Sequence, residues 1–312
     1  MSKVIFGVDL GGTTVKMGYF DTEGNVKDKW EIPTRKENNG SNILPDIAAS
    51  IKAKMNEMGM EKNDVIGVGI GVPGPVDANG VIYKAANLGW GVFSVKEELA
   101  VLLGGIPVEA GNDANVAALG EMWQGGGKGY KNLVAVTLGT GVGGGIIVEG
   151  KVLTGATGAG GEIGHIHIVD DERDTCGCGN HGCLEQYASA TGVVRLARRE
   201  LEKSSDPSAL RDTELSAKAV FDAVKEGDEL AIRVAKVFGE YLGKGLAVIA
   251  DVVNPEIFVI GGGVSKAGEI LFDYIRPSYL ENVFHGSRDV EFALATLGND
   301  AGIYGSAKLI LD

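Results

Sequence analysis

Twice in this chain an apolar run enters a glycine turn and a second apolar run leaves it. Val4-Ile5-Phe6-Gly7-Val8-Asp9-Leu10 leads into Gly11-Gly12-Thr13-Thr14, and residues 15–21 follow. Leu133-Val134-Ala135-Val136-Thr137-Leu138 leads into Gly139-Thr140-Gly141-Val142-Gly143-Gly144, and Gly145-Ile146-Ile147-Val148 follows. Short apolar runs bounded by turn residues predict buried strands. A long unit that occurs twice predicts a duplicated domain, because a solenoid needs several stacked copies. The repeat therefore points to an α/β protein of two similar halves, with a ligand expected in the cleft between them.

The remaining segments fit that frame. A third strand is expected to end near Thr34, and a helix over residues 41–59 places Ile43, Ile47, Ile51 and Met55 on one face. Val65–Val72 reads as a strand stopped by Pro73-Gly74-Pro75. Helices are expected over 184–203, 216–226, Glu229–Val253, 266–280 and 300–311. One buried strand interrupts them, Ile257-Phe258-Val259-Ile260, followed by Gly261-Gly262-Gly263. The expected division is a smaller first domain, residues 1–120, and a larger second domain, 121–298. The last helix, 299–312, is expected to pack back on the first domain.

The glycine turns exclude two familiar nucleotide sites. Gly139-x-Gly141-x-x-Gly144 has the spacing of a dinucleotide fingerprint, but a strand follows where that motif needs a helix. No Gly-Lys-Ser/Thr ends either turn, so a P-loop is excluded as well. What remains is a pair of hairpin turns whose backbone N–H groups can approach phosphate oxygens. Thr13, Thr14 and Thr140 add hydroxyl donors, and Asp9 is placed to hold Mg²⁺ through water. Such turns are also ordinary hairpins; two matched copies favour the phosphate reading. The 49 glycines among 312 residues are about twice the usual share, with no Gly-X-Y period, so they must serve turns and close approaches.

All three cysteines lie in Cys176-Gly177-Cys178-Gly179-Asn180-His181-Gly182-Cys183, and Glu185 follows. Three thiolates within reach of one ion suggest a structural Zn²⁺ site, which needs a fourth ligand. His165, His167, His181 and Asp174 are the candidates. A redox pair or reduced thiols in a turn is the competing reading, which the tight spacing disfavours. Near the end of the first expected domain, Gly111-Asn112-Asp113-Ala114 reads as a helix N-cap.

The net charge of −13 and the lack of a basic patch argue against nucleic acid and anionic membranes as partners. No apolar run reaches the roughly 20 residues of a membrane helix, and the first residues lack a signal peptide's layout. Three cysteines cannot close a disulfide framework, so a cytoplasmic protein with reduced thiols is expected.

Asp9-Leu10-Gly11-Gly12-Thr13, Leu138-Gly139-Thr140-Gly141 and Gly261-Gly262-Gly263 resemble the two phosphate segments and the adenosine segment of the actin-like ATPase (ribonuclease-H-like) fold. Residues 138–165, ending in Gly161-Glu162-Ile163-Gly164-His165, together with the cysteine loop, resemble the signatures of the ROK family of sugar kinases and sugar-responsive repressors. The resemblance covers nearly the whole chain. It implies an ATP-dependent kinase acting on the 6-hydroxyl of glucose, with ATP, Mg²⁺ and structural Zn²⁺. Another hexose, or a sugar-sensing regulator without catalysis, is the alternative. It implies Asp113 as the base and Asn87, Asn112, Glu162, His165 and Glu185 as sugar contacts. Asp9, Gly11, Gly12, Thr13, Thr14, Gly139, Thr140, Gly141 and Gly262 would face ATP and Mg²⁺. It selects His165 as the fourth zinc ligand beside Cys176, Cys178 and Cys183, making 165–185 a zinc loop. The His165–Cys176 interval is about one residue longer than related kinases suggest, so a bulge is expected there. A homodimer or homotetramer is implied too.

Overall fold

In the computed structural model, residues 3–83 and 85–311 are described. The chain opens with β1 (Val4–Leu10), β2 (Thr14–Phe20) and β3 (Val26–Pro33), an antiparallel meander. A short turn α1 (Glu37–Gly40) and helix α2 (Ile43–Glu57) lead to β4 (Val65–Val72), which pairs parallel with β1. The small ribbon of β5 (Val81–Ile82) and β6 (Phe93–Ser94) precedes α3 (Val95–Leu102). Then β7 (Val108–Asn112) pairs parallel with β4 and runs into α4 (Asp113–Gln124). The first sheet has the order β3-β2-β1-β4-β7.

The second sheet repeats this plan. It contains β8 (Leu133–Leu138), β9 (Val142–Val148) and β10 (Lys151–Val152). Helices α5 (Glu185–Ala188), α6 (Ala190–Lys203), α7 (Ala217–Lys225) and α8 (Glu229–Val253) follow, then β11 (Ile257–Gly261), α9 (Ile270–Asn282), β12 (Glu291–Leu294) and α10 (Ala301–Leu309). Its order is β10-β9-β8-β11-β12, with β8, β11 and β12 mutually parallel. Each strand thus has a counterpart in the first sheet, which is the duplication read from the two glycine turns.

The chain divides into two compact units. The first runs to Lys131 and also takes Gly145–Gly161 and the stretch from Leu297 onward; the second takes Asn132–Gly144 and Glu162–Thr296. The first unit therefore extends past residue 120 and recovers a segment from the middle of the chain.

In the first unit, Phe6, Val8 and Leu10 of β1 pack with Ile43, Ile47 and Ile51 of α2. On the other side of the sheet, Ile5 and Phe20 meet Ile303 and Ala307 of α10. Here the glycine excess finds its use. A Cβ on Gly7 would overlap the carbonyl oxygen of Ile303, and one on Gly69 that of Ser306. The α10 backbone rests directly on the sheet backbone, and Ser306 Oγ donates to the Val8 carbonyl at 2.8 Å.

Two expectations need correction. The second glycine turn is only Gly139–Gly141, because β9 already begins at Val142 and takes up Gly143 and Gly144. The helix expected over 184–203 is broken at Ser189, which is extended (φ −85°, ψ 171°) and whose Oγ accepts the Gly192 N–H at 2.9 Å. Ser189 is an N-cap for α6, so α5 is a separate single turn. Among the labelled elements, six escaped sequence reading: α1, α3, β5, β6, β10 and β12.

Candidate functional site

The first glycine turn is held by its carbonyls. Thr34 Oγ1 donates to the Gly11 carbonyl at 2.7 Å, and the Thr34 N–H to the Thr13 carbonyl at 2.9 Å. In a trans peptide C=O and N–H point opposite ways. The amides of Gly12 and Thr14 are therefore turned away from Thr34. Gly12 and Thr13 are exposed, and a Cβ on Gly12 would meet nothing within 4 Å. The turn has the open, amide-lined character that an anion needs.

Beside it, β7 ends on Asn112, and α4 starts at Asp113. Asn112 is the N-cap: its Oδ1 accepts the Ala114 and Asn115 N–H groups at 3.0 and 3.2 Å, and its Nδ2 donates to the Gly74 carbonyl at 3.1 Å. Asp113 is thus the first helical residue, exposed, with Oδ1 accepting the Ala114 N–H at 2.8 Å. The helix N-terminus favours its ionised form. Asp9, at the end of β1, feels Asp113 electrostatically. Burial raises the Asp9 pKa above the usual carboxylate value; Lys16 opposes the rise and Asp113 adds to it. Lys16 is paired with Asp9 across β1 and β2. Room for Asp9 depends on Gly302 of α10, where a Cβ would lie 2.5 Å from the Asp9 carboxyl carbon.

The second turn is anchored the same way, to α6. The Ala190 N–H donates to the Gly139 carbonyl at 2.8 Å, and Thr191 Oγ1 to the Thr140 carbonyl at 2.7 Å. The amides of Thr140 and Gly141 are consequently turned away from α6. Gly262 packs against the strand leading into this turn: it has φ +84°, and a Cβ there would lie 2.5 Å from the Leu138 carbonyl oxygen.

Within the second unit the cysteine loop closes on His165. One ligand atom from each of His165, Cys176, Cys178 and Cys183 lies within 4.8 Å of the others. His165 Nδ1 is 3.7 Å from Cys176 Sγ, and Cys178 Sγ is 3.7 Å from Cys183 Sγ. A zinc ion with ordinary bond lengths and tetrahedral angles sets such edges at about 3.6 and about 3.8 Å. Burial pushes the Cys176 thiol up to about 12 and raises Cys183 too, while the Asn180 N–H lowers Cys178. Buried thiols ionise readily only beside a cation, so the donor types and these two spacings fit a dication. Of the other candidate ligands, His167 Nδ1 contacts the His181 carbonyl (2.9 Å) and Nε2 contacts Asp170 (3.0 Å), while His181 Nδ1 contacts the Asp174 carbonyl at 3.1 Å.

The three expected sugar contacts of this unit meet at the cluster. Glu185 Oε1 lies 3.6 Å from His165 Nδ1 and accepts from the Cys176 thiol at 2.9 Å; His165 Nε2 lies 3.9 Å from Glu162. Glu185 Oε2 also faces the Val142 N–H at 3.4 Å, and a Cβ on Gly141 would lie 2.5 Å from it. Glu185 and the second glycine turn are therefore neighbours.

The expected residues thus fall into two groups. Asp9, Gly11–Thr14, Asn112 and Asp113 gather in the first unit; Gly139–Gly141, Glu162, His165, the three cysteines and Glu185 gather in the second, with Gly262 against Leu138. Asn87 is exposed in a 3₁₀ turn of the first unit. Sequence reading missed Lys16 and Gly302. Strand pairing could have found Lys16, but Gly302 has no local signal.

A sequence model of the ROK family matches residues 5–312. A glucokinase of Halalkalibacterium halodurans is 44% identical over 97% of this chain and 94% of its own length. Among solved structures, a ROK family glucokinase from Streptomyces griseus in complex with glucose and AMPPNP is 34% identical, with TM-score 0.75 over 98% of both chains. A ROK hexokinase from Thermus thermophilus is 31% identical, with TM-score 0.81 over 98% of this chain and 97% of its own.

Proposed function

The chain belongs to the ROK family, and on that premise we propose that it is an ATP-dependent kinase that phosphorylates the 6-hydroxyl of glucose, giving glucose 6-phosphate. The observation that carries this reading is the 44% identity to a glucokinase along nearly the whole of both chains. The site geometry supports it with a carboxylate at a helix N-terminus and two amide-lined turns.

Asp113 takes the proton from the sugar hydroxyl as its oxygen bonds to the γ-phosphorus. The bond from that phosphorus to the bridging oxygen breaks, and ADP leaves. Asp113 need not be a strong base, since the transition state of phosphoryl transfer is loose and positioning does most of the work. Asn87, Asn112, Glu162, His165 and Glu185 hold the sugar hydroxyls. The turns at Gly11, Gly12, Thr13 and Thr14 and at Gly139, Thr140 and Gly141 face the phosphates, with the adenosine near Gly262. Asp9 would hold Mg²⁺ through water, and that ion supplies charge neutralisation on the phosphates. His165, Cys176, Cys178 and Cys183 would hold a structural Zn²⁺, whose four protein ligands leave no position for substrate. We further read the protein as a cytoplasmic homodimer or homotetramer.

The test is ADP release from MgATP across glucose, mannose, fructose, allose, N-acetylglucosamine and N-acetylmannosamine. A clear preference for glucose is expected. Turnover with another sugar alone would change the substrate and keep the mechanism. No turnover with any sugar in zinc-loaded protein would favour a sugar-sensing regulator.

A further inference from the structure

Glu172 is a buried acid that the proposed reaction does not use. It lies between His165 and Cys176, in the interval where a bulge is expected, and its side chain is 2% exposed. Arg199 Nη2 reaches it at 3.2 Å, the Asp174 N–H donates to it at 2.9 Å, and Arg195 and the Tyr187 hydroxyl bond to it as well. Burial opposes its ionisation, but the Tyr187 hydroxyl, the Asp174 amide and the two guanidiniums outweigh that and hold its pKa at about 2. A buried charge persists only when it is paired and hydrogen-bonded this fully.

Tyr187 links this network to the sugar side. It belongs to α5, the four-residue helix that begins with Glu185. A helix this short cannot hold its own orientation. Gln186 holds one face of α5, accepting the Cys183 N–H at 3.0 Å and donating to the Asp174 carbonyl at 2.8 Å, and Ala190 anchors the far end to the Gly139 carbonyl. Tyr187 holds the buried face. Its ring is buried 4.3 Å from the Tyr241 ring, with the Arg195 guanidinium 5.0 Å over it, and its hydroxyl donates to Glu172. Two residues are roughly half a helical turn, so any roll at Tyr187 carries Glu185 through a similar arc. Glu185 tolerates little movement, since its Oε2 faces the Val142 N–H at 3.4 Å and lies 2.5 Å from where a Cβ on Gly141 would sit.

We propose that Glu172, acting through Tyr187, is a positioning residue for Glu185, holding the buried face of α5 independently of the metal. This rests on the reading that Glu185 binds the sugar.

The test uses the full-length, metal-loaded protein with Glu172→Gln, Tyr187→Phe and the double variant. Tyr187→Phe keeps the ring and loses only the hydroxyl, so it decides the matter if Glu172→Gln does not fold. Both single variants should keep their zinc and raise KM for glucose about tenfold, with kcat and KM for ATP within about twofold. The double variant should be no worse than the poorer single one, because both changes cut the same link. Unchanged glucose KM in both, even with a lower Tm, would overturn the proposal, as would equal rises in both KM values or loss of zinc. A wild-type protein that binds no glucose by calorimetry would instead sink the parent reading, and this one with it.

Discussion

Asp9 and Asp113 show how one corner gives two carboxylates different surroundings. Asp113 is exposed at a helix N-terminus, while burial pushes the Asp9 pKa up. Where Asp9 is ionised in both the folded and the unfolded form, its burial penalty opposes folding. Below the ordinary pKa of 3.8 both are protonated, and the penalty is gone. Asp9→Asn should therefore raise Tm by a few degrees at pH 7, lose that gain on acidification through pH 4, and abolish Mg²⁺-dependent turnover. Thermal melts at the two pH values check this; equal Tm gains at both would contradict it. Asp113→Asn should lower kcat at least about 100-fold with glucose affinity nearly unchanged. More than a tenth of wild-type turnover would remove Asp113 from the role of base. The motif Gly-Asn-Asp-Ala made the cap legible in advance. It could not say which residue caps: the structure gives that to Asn112 and leaves the Asp113 carboxylate exposed.

Among the elements, those with strong patterns were readable. Glu229–Val253 was bounded correctly because Asp228 caps it, accepting the Ala231 N–H at 3.0 Å, and Asn254 ends it in the left-handed region. The strand β12 was missed because Glu291-Phe292-Ala293-Leu294 is short and lies at a sheet edge. The duplication itself held the missing signal: β7, its counterpart, was visible. The break between α5 and α6 was missed because helical periodicity runs through Ser189, and a cap within a run looks like any other serine. The gathering of the three cysteines was legible from their spacing and His165 from the family resemblance, yet Glu172 was not, since nothing local announces that a loop acid will be buried by a helix some twenty residues on. The loop also carries a prediction. Elemental analysis should find one zinc per chain, and Cys178→Ser or chelation should raise KM for glucose at least about tenfold before unfolding. Full glucose affinity in metal-free protein would show that Glu185 and His165 need no such staple.

On the scale of the molecule, the two sheets share one plan but not one continuity. The second unit draws on Asn132–Gly144 and Glu162–Thr296, whereas the first needs Gly145–Gly161 and the stretch from Leu297 onward. Helix α10 fills the face of β1 and β4 with its own backbone, against Gly7 and Gly69. Glycines offer no side chains to collapse into the space if that helix is removed. A chain stopped after residue 298 should therefore lose amide exchange protection throughout β1 and β4 while β8 and β11 keep theirs. Native protection in β1 of such a chain would contradict this. The same helix sets an order of events during synthesis. Although its sheet leaves the ribosome first, the first unit is the last to hold all its parts, so its nascent β-meander must wait, open on one face, until codons 301–309 have been translated. A frameshift late in the reading frame would then act as a null allele, and chaperone demand should fall on the half of the protein that was made earliest.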